Sequence, residues 1–167
     1  MKNLSRSARI ADMSRSLQTR LTTSKPFTWL LKNVASRCDP VIFKATNGRF
    51  TFFGPTVFPM VTLTIRGRKT GKPRAVHLAA IEFEGSLLVV ANSMGSARHP
   101  GWCYNVEENP DIDVQAEGES YRAMAQRLNE EEKTRAWPVI LEAVPQIKVY
   151  QTRTNRTIRV FRLLRTP

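Results

Sequence analysis

The sequence predicts an α+β domain built on a small antiparallel barrel flanked by helices. Three observations lead there. At 167 residues the chain is one domain's worth, long enough for a single core and short for two. Strand-like runs, five or six at short spacing, begin after Pro59. Helical periodicity precedes them, interrupts them once and returns late in the chain. A composition shift near Pro55 divides an N-terminal basic helical segment, residues 1–55, from a barrel domain, residues 56–167.

Ile10, Met13, Leu17 and Leu21 recur at helical spacing with Arg6, Arg9, Arg15 and Arg20 between them, which describes a basic amphipathic helix. Such a helix either docks on an anionic membrane surface or a partner, or lies solvated on its own domain. Phe27, Leu30, Leu31 and Val34 mark a second helix, with Ser24 as N-cap and Pro26 just inside; Asp39-Pro40 stops and restarts the chain. From Met60 the pattern alternates, with Val61, Leu63 and Ile65 on one face of a strand. Arg74 to Phe83 is the next strand, Glu84-Gly85 a turn, and Leu87 to Ala91 a strand apolar on both faces. Pro100 is expected to open a short helix ending at Asn109-Pro110, followed by strands from Asp111 to Gly118 and from Glu119 to Arg127. Asn129 with Glu132 three residues on is a capping box, and Trp137, Ile140, Leu141 and Val144 supply the apolar face of the helix it starts. Pro138 lacks the N–H that a helix interior needs, so a kink or restart is expected there. Thr157 to Leu164 is the last strand.

The composition is globular, with 41% hydrophobic and 24% charged residues, but the net charge of +12 is extreme and points to an anionic partner, substrate or surface. The charge is segregated. Residues 1–50 carry ten basic residues against Asp12 and Asp39, nine of the fourteen acids fall between Glu107 and Glu132, and Arg153, Arg156, Arg159, Arg162 and Arg165 close the chain. Two cysteines, Cys38 and Cys103, and two histidines, His77 and His99, show no metal-ligand spacing, so no metal is expected. Widely separated cysteines and no signal-like N-terminus indicate a reducing, cytoplasmic setting; no apolar run approaches a membrane span.

Two constellations could carry function. Arg66-Gly67-Arg68-Lys69-Thr70-Gly71-Lys72-Pro73-Arg74 places five cations, two glycines and a hydroxyl between two strands. Backbone amides freed by glycine, the Thr70 hydroxyl and guanidinium forks are suited to phosphate or carboxylate, although the spacing is not that of a P-loop; a solvated basic hairpin is the plainer alternative. The second is Ala91-Asn92-Ser93-Met94-Gly95-Ser96 followed by His99-Pro100-Gly101-Trp102 and Asn105, a strand end, polar loop and helix start. Amides there can pair with the carbonyl and N–H edge of a planar heterocycle while the helix start attracts an anionic tail. Taken alone, Trp102 reads as core before ligand contact, His99 as a turn residue before a base, and His77 as an ordinary strand histidine. No nucleophile elbow, paired carboxylates or Cys-His pair can be assembled, so any chemistry belongs to a bound cofactor. Nucleic acid is not expected as a partner, because the chain has no nucleic-acid motif and its aromatics are not interleaved with the basic stretches.

Leu63 through Arg74, the apolar strand into Ala91-Asn92, His99-Pro100-Gly101-Trp102 with Asn105 and Asn109-Pro110, and Tyr150 with Asn155-Arg156-Thr157 together resemble the deazaflavin-dependent nitroreductase and quinone reductase family. The resemblance runs from about Val61 to Phe161 and leaves residues 1–55 uncovered. It implies a split β-barrel and coenzyme F420, a deazaflavin with a phospholactate and oligoglutamate tail, with FMN ranked behind it. The family passes hydride from the reduced coenzyme to quinones, nitro compounds or activated alkenes, chemistry that needs positioning rather than a protein nucleophile. Carried over by position, Arg68, Lys69, Thr70, Gly71, Pro73 and Arg74 hold phosphate and tail. Val90, Ala91, Asn92 and Ser93 line the ring, Trp102 and Asn105 close the site near the phosphate, and Tyr150 is the substrate-side donor. The chain departs from the family where Val144 and Ile147 replace substrate-side tyrosines, and where Ser93-Met94 replaces a lysine with glycine or tryptophan. The expected partner is a small apolar electrophile such as a quinone, met at an anionic membrane surface on the inner face if the basic arm docks there. A non-catalytic module holding a flavin, haem or lipid on the same barrel is the alternative.

Overall fold

A computed structural model describes residues 50–51, 54–55, 59–116 and 118–167. The basic amphipathic helix, the second helix and the Asp39-Pro40 stop, and with them the membrane-docking arm, lie outside these residues. Strands β1 (Phe50–Thr51) and β2 (Gly54–Pro55) pair with each other at the end of the 1–55 segment. The barrel is formed by β3 (Met60–Arg66), β4 (Pro73–Phe83), β5 (Ser86–Val90), β6 (Asp111–Ala116), β7 (Glu119–Arg127) and β8 (Val160–Arg165). These close antiparallel in the order β3-β4-β5-β8-β7-β6. Helices α1 (Gly101–Glu108), α2 (Glu130–Ala143) and α3 (Gln146–Gln151) flank it. No helix among the described residues is long and apolar enough to cross a membrane.

The alternation in β3 survives folding: Val61, Leu63 and Ile65 are buried inside the barrel, where Leu63 lies opposite Val76 of β4 and Val114 of β6. Period-two burial fixes this register, because a one-residue slip would turn all three outward. β5 is apolar on both faces because both are covered. Val89 points into the barrel with Phe161 and Leu163, while Leu88 points out into a second cluster with Ile140, Ile147 and Val160 beneath α2 and α3. The β4–β5 turn is a two-residue hairpin, with Glu84 (φ 49°) and Gly85 (φ 72°) both left-handed between the paired Phe83 and Ser86. That backbone matches the right-handed strand twist.

The capping box forms as expected: the Glu132 N–H donates to Asn129 Oδ1 (2.8 Å) and the Asn129 N–H to Glu132 Oε2 (3.0 Å). α2 does not restart at Pro138. It continues to Ala143, and both Pro138 and Thr134, whose carbonyl loses its donor, are exposed, so the orphaned carbonyl is not sealed in the core. Pro100 proves to be the extended N-cap residue of α1 (ψ 148°), one position before the first helical residue. β8 begins at Val160, later than expected: residues 152–159 are turn and irregular chain, joined to the end of β5 by the bond from the Ala91 N–H to Arg159 O (2.9 Å). Val144 and Ile147, at the positions lacking tyrosines, pack into the second cluster.

Candidate functional site

Antiparallel closure collects at one mouth of the barrel the β3–β4 hairpin, the loop after β5, α1 and the segment before β8. Both sequence constellations therefore share one end of the molecule. In the hairpin, the Gly67 N–H donates to Lys72 O (2.9 Å) and the Gly71 N–H to Gly67 O (2.7 Å). A Cβ on Gly67 would stand 3.0 Å from Lys72 O, which explains the glycine. Arg66, Arg68, Lys69, Lys72 and Arg74 are all exposed, and none pairs with a carboxylate among the described residues. The C-terminal run differs: Arg159 meets Glu107 (2.7 Å), Arg162 meets Glu84 (3.1 Å) and Arg165 meets Glu119 (3.4 Å). Glu107, Glu119 and Glu132 of the acidic segment are thus taken by late arginines, while the hairpin cations have no carboxylate partner among the described residues.

α1 is tied to the hairpin. Asn105 Oδ1 accepts from the Arg68 N–H (3.2 Å), and Asn109 Nδ2 donates to Arg66 O (3.3 Å). The guanidinium groups of Arg68 and Arg159 lie 5.1 Å and 5.4 Å from the centre of the Tyr104 ring, an aromatic contact the sequence reading did not single out. Trp102 sits on the core side: half-buried, it packs edge-on against Phe161 at 5.5 Å. Cys103 is fully buried beside it, and burial pushes its thiol pKa up, so it is inert at neutral pH.

At the strand end the decisive residue is Arg156. Its Nε donates to Ser96 O (2.9 Å), Nη1 to Ala91 O (3.1 Å) and His99 Nδ1 (3.1 Å), and Nη2 to Asn92 O (2.7 Å). Arg156 appeared in the sequence only within a motif and within an arginine run of period three; nothing local distinguished it from its neighbours. The turn it holds is strained, with Ser93 (φ 46°), Met94 (φ 54°) and Gly95 (φ 76°) consecutively left-handed. Asn92 caps this turn, its Oδ1 accepting from the Met94 N–H (3.0 Å). Ala91 is buried with its N–H committed to Arg159 O (2.9 Å), and Val90 packs outward against the second cluster.

Because arginine offers only donors, His99 Nδ1 must accept, so the ring is neutral with its proton on Nε2. Burial, then Arg159, Arg156 and Arg127, depress its pKa. The unfolded chain binds a proton at His99 more readily, so this contribution to stability is complete above about pH 6.5 and is lost as pH falls below it. His99→Gln is therefore expected to flatten the fall in melting temperature as pH drops below about 6.5, measured by circular dichroism; a wild-type slope would contradict this.

Tyr150 lies on α3 behind the turn, 7% exposed, with the Arg153 guanidinium 5.6 Å from its ring centre. Burial raises its pKa, so the phenol keeps its proton and cannot serve as a base at neutral pH. The opposite barrel mouth holds a cavity of about 850 Å³ lined by Met60, Phe83, Leu87, Tyr121 and Arg165 among others. None of the predicted site residues borders it, and the unpaired cations are at the other end.

A closed antiparallel barrel flanked by helices, with a basic hairpin, a polar strand-end loop and a helix start at one mouth, defines the split-barrel class of α+β proteins. The family model for F420H(2)-dependent quinone reductase matches residues 35–165. An F420H(2)-dependent quinone reductase of Mycobacterium tuberculosis is 30% identical over 143 residues, covering 82% of this chain and 96% of its own. The solved structure of an F420-H2 dependent reductase, FDR-A, is 38% identical with a TM-score of 0.58, covering 63% of this chain and 93% of that one. A chain solved as a domain-swapped dimer is 31% identical with a TM-score of 0.60, covering 83% and 99%. The chain belongs to the F420H(2)-dependent quinone reductase family and is a hydride-transfer oxidoreductase.

Proposed function

We propose that this chain binds F420H2 across the hairpin mouth of the barrel and reduces a quinone. The observation that carries the reading is the uncompensated charge: five exposed cations without carboxylate partners among the described residues, beside a strand end whose amides are available. Arg68, Lys69, Thr70 and Arg74 take the phosphate and the oligoglutamate tail, with Gly71 and Pro73 shaping the hairpin. Asn105 fixes the Arg68 backbone against α1. Asn92 and Ser93 present their N–H groups to the ring edge, Ala91, held at both its N–H and its carbonyl, lies beneath them, Val90 supports them from outside, and Trp102 anchors α1 on the barrel. Tyr150, which keeps its phenolic proton, is the substrate-side donor, and its main-chain carbonyl backs the turn at Gly95. The coenzyme supplies the hydride; the protein supplies position and excludes alternatives, which is where the rate gain of such a reaction comes from.

The test is turnover. Purified protein with F420H2 and menadione is expected to restore deazaflavin fluorescence in a menadione-dependent way, with a nitroaromatic or an activated alkene as slower acceptors. Oxidation no faster than without protein, by a sample shown to be folded, would contradict the reading.

A further inference from the structure

We infer that Arg156 is a positioning residue for the coenzyme ring: it draws the carbonyls of the strand-end turn to one side so that the amides of Asn92 and Ser93 face the other. The inference rests on the coenzyme reading above. Four of the five guanidinium N–H donors have acceptors: Ala91 O, Asn92 O, Ser96 O and His99 Nδ1. In a trans peptide the C=O and the following N–H point in opposite directions. Pulling Ala91 O and Asn92 O towards Arg156 therefore turns the Asn92 and Ser93 N–H groups away from it. Among the described residues neither N–H has an acceptor.

The backbone fits a receiving role. Asn92 is right-handed (φ −73°, ψ −32°) and Ser93 left-handed (φ 46°), the alternation that makes successive amides converge as an acceptor-binding nest. Ser93 and Met94 are held in conformations unfavourable to side chains, so the turn needs an external hold. Arg156 grips it on the carbonyl side, while Tyr150 O of α3 and Arg153 just beyond that helix crowd Gly95. The ligand chemistry follows: an acceptor edge such as a ring carbonyl or a delocalised oxyanion, with a cation behind the peptide planes. Lysine cannot substitute, since three donors at one point cannot span carbonyls from residues 91, 92 and 96 together with a histidine nitrogen.

The experiment uses Arg156→Lys in the full chain, with two ligands: F420 and the tail-less deazaflavin chromophore. The expected result is a loss of about tenfold in affinity for both ligands, because the ring subsite is common to both. Amide hydrogen exchange at Gly95 and Ser96 is expected to accelerate while exchange in β3 and β8 does not change. Supplying free guanidinium to Arg156→Ala is expected to restore part of the affinity. Wild-type affinity for the tail-less chromophore in folded Arg156→Lys, or wild-type exchange at Gly95 and Ser96, would overturn the assignment. Should the variants not fold, the wild-type Arg156 Nε–H signal decides: slow exchange and a shift on chromophore binding support it, and a signal like that of an exposed arginine overturns it. The exchange readout needs no ligand. A failure of wild-type protein to bind either ligand would sink the coenzyme reading while leaving the hold on the turn separately measured.

Discussion

Gly95→Ala is expected to lower the melting temperature by about 10 °C, at about 2–4 °C per kcal/mol for a chain of this size. Two effects add. Gly95 sits at φ +76°, where a side chain costs about 1–2 kcal/mol. Its Cβ would also stand 2.7 Å from both Tyr150 O and Arg153 Cβ, and relieving such overpacking costs about 1–3 kcal/mol more. Gly85→Ala isolates the first effect, because Gly85 is equally left-handed (φ +72°) with nothing within 4 Å of the added carbon. It is expected to cost no more than about 1–2 kcal/mol. Thermal unfolding of the two variants side by side checks the account; equal losses would contradict the close packing of α3 on the turn. Coenzyme affinity is expected to fall with Gly95→Ala and to remain near wild type with Gly85→Ala, since the β4–β5 turn lies at the opposite mouth.

The second large effect concerns the hairpin. Arg68→Gln with Lys69→Gln is expected to weaken F420 binding by about 10- to 100-fold at low salt, from two charge-assisted contacts worth roughly 1.5–3 kcal/mol each before solvent screening. Both side chains are exposed, so the loss shrinks as salt rises and screens the wild-type contacts. Stability is expected to change little, because neither cation is in an ion pair among the described residues and only Arg68 touches a ring, that of Tyr104. The tail-less chromophore is expected to bind the variant as it binds wild type. Arg135→Gln, which removes one cation on α2 paired with Glu84, controls for the loss of a cation away from the hairpin and is expected to leave affinity unchanged. Titration of the three proteins at two salt concentrations checks this; an undiminished affinity in the double variant would contradict a tail site on the hairpin.

The barrel was largely legible because its signals are local. Alternation in β3, two-sided apolarity in β5, the Glu84-Gly85 turn and the Asn129 capping box each follow from neighbouring residues, and each is found where the pattern placed it. The basic hairpin was legible for the same reason. Arg156 was not, since its importance comes from acceptors about 60 positions earlier that only barrel closure brings near. The strain in the 93–95 turn was equally hidden: Ser93 and Met94 are not residues that advertise a left-handed backbone, and tertiary packing imposes it. Pro138 failed as a breaker because the carbonyl it orphans is not sealed in the core.

Tertiary pairing also changes the meaning of the +12 charge. The closing arginines are partnered with Glu107, Glu84, Glu132 and Glu119, or grip backbone carbonyls, and so serve the fold. The five hairpin cations have no carboxylate partner among the described residues, and the proposed reading assigns them to the acidic coenzyme tail. A direct fluorescence titration of the folded wild-type protein with F420 tests that most squarely. The account predicts saturable binding in the micromolar range or tighter that weakens as salt rises; no binding, or binding indifferent to salt and to the presence of the tail, would contradict it.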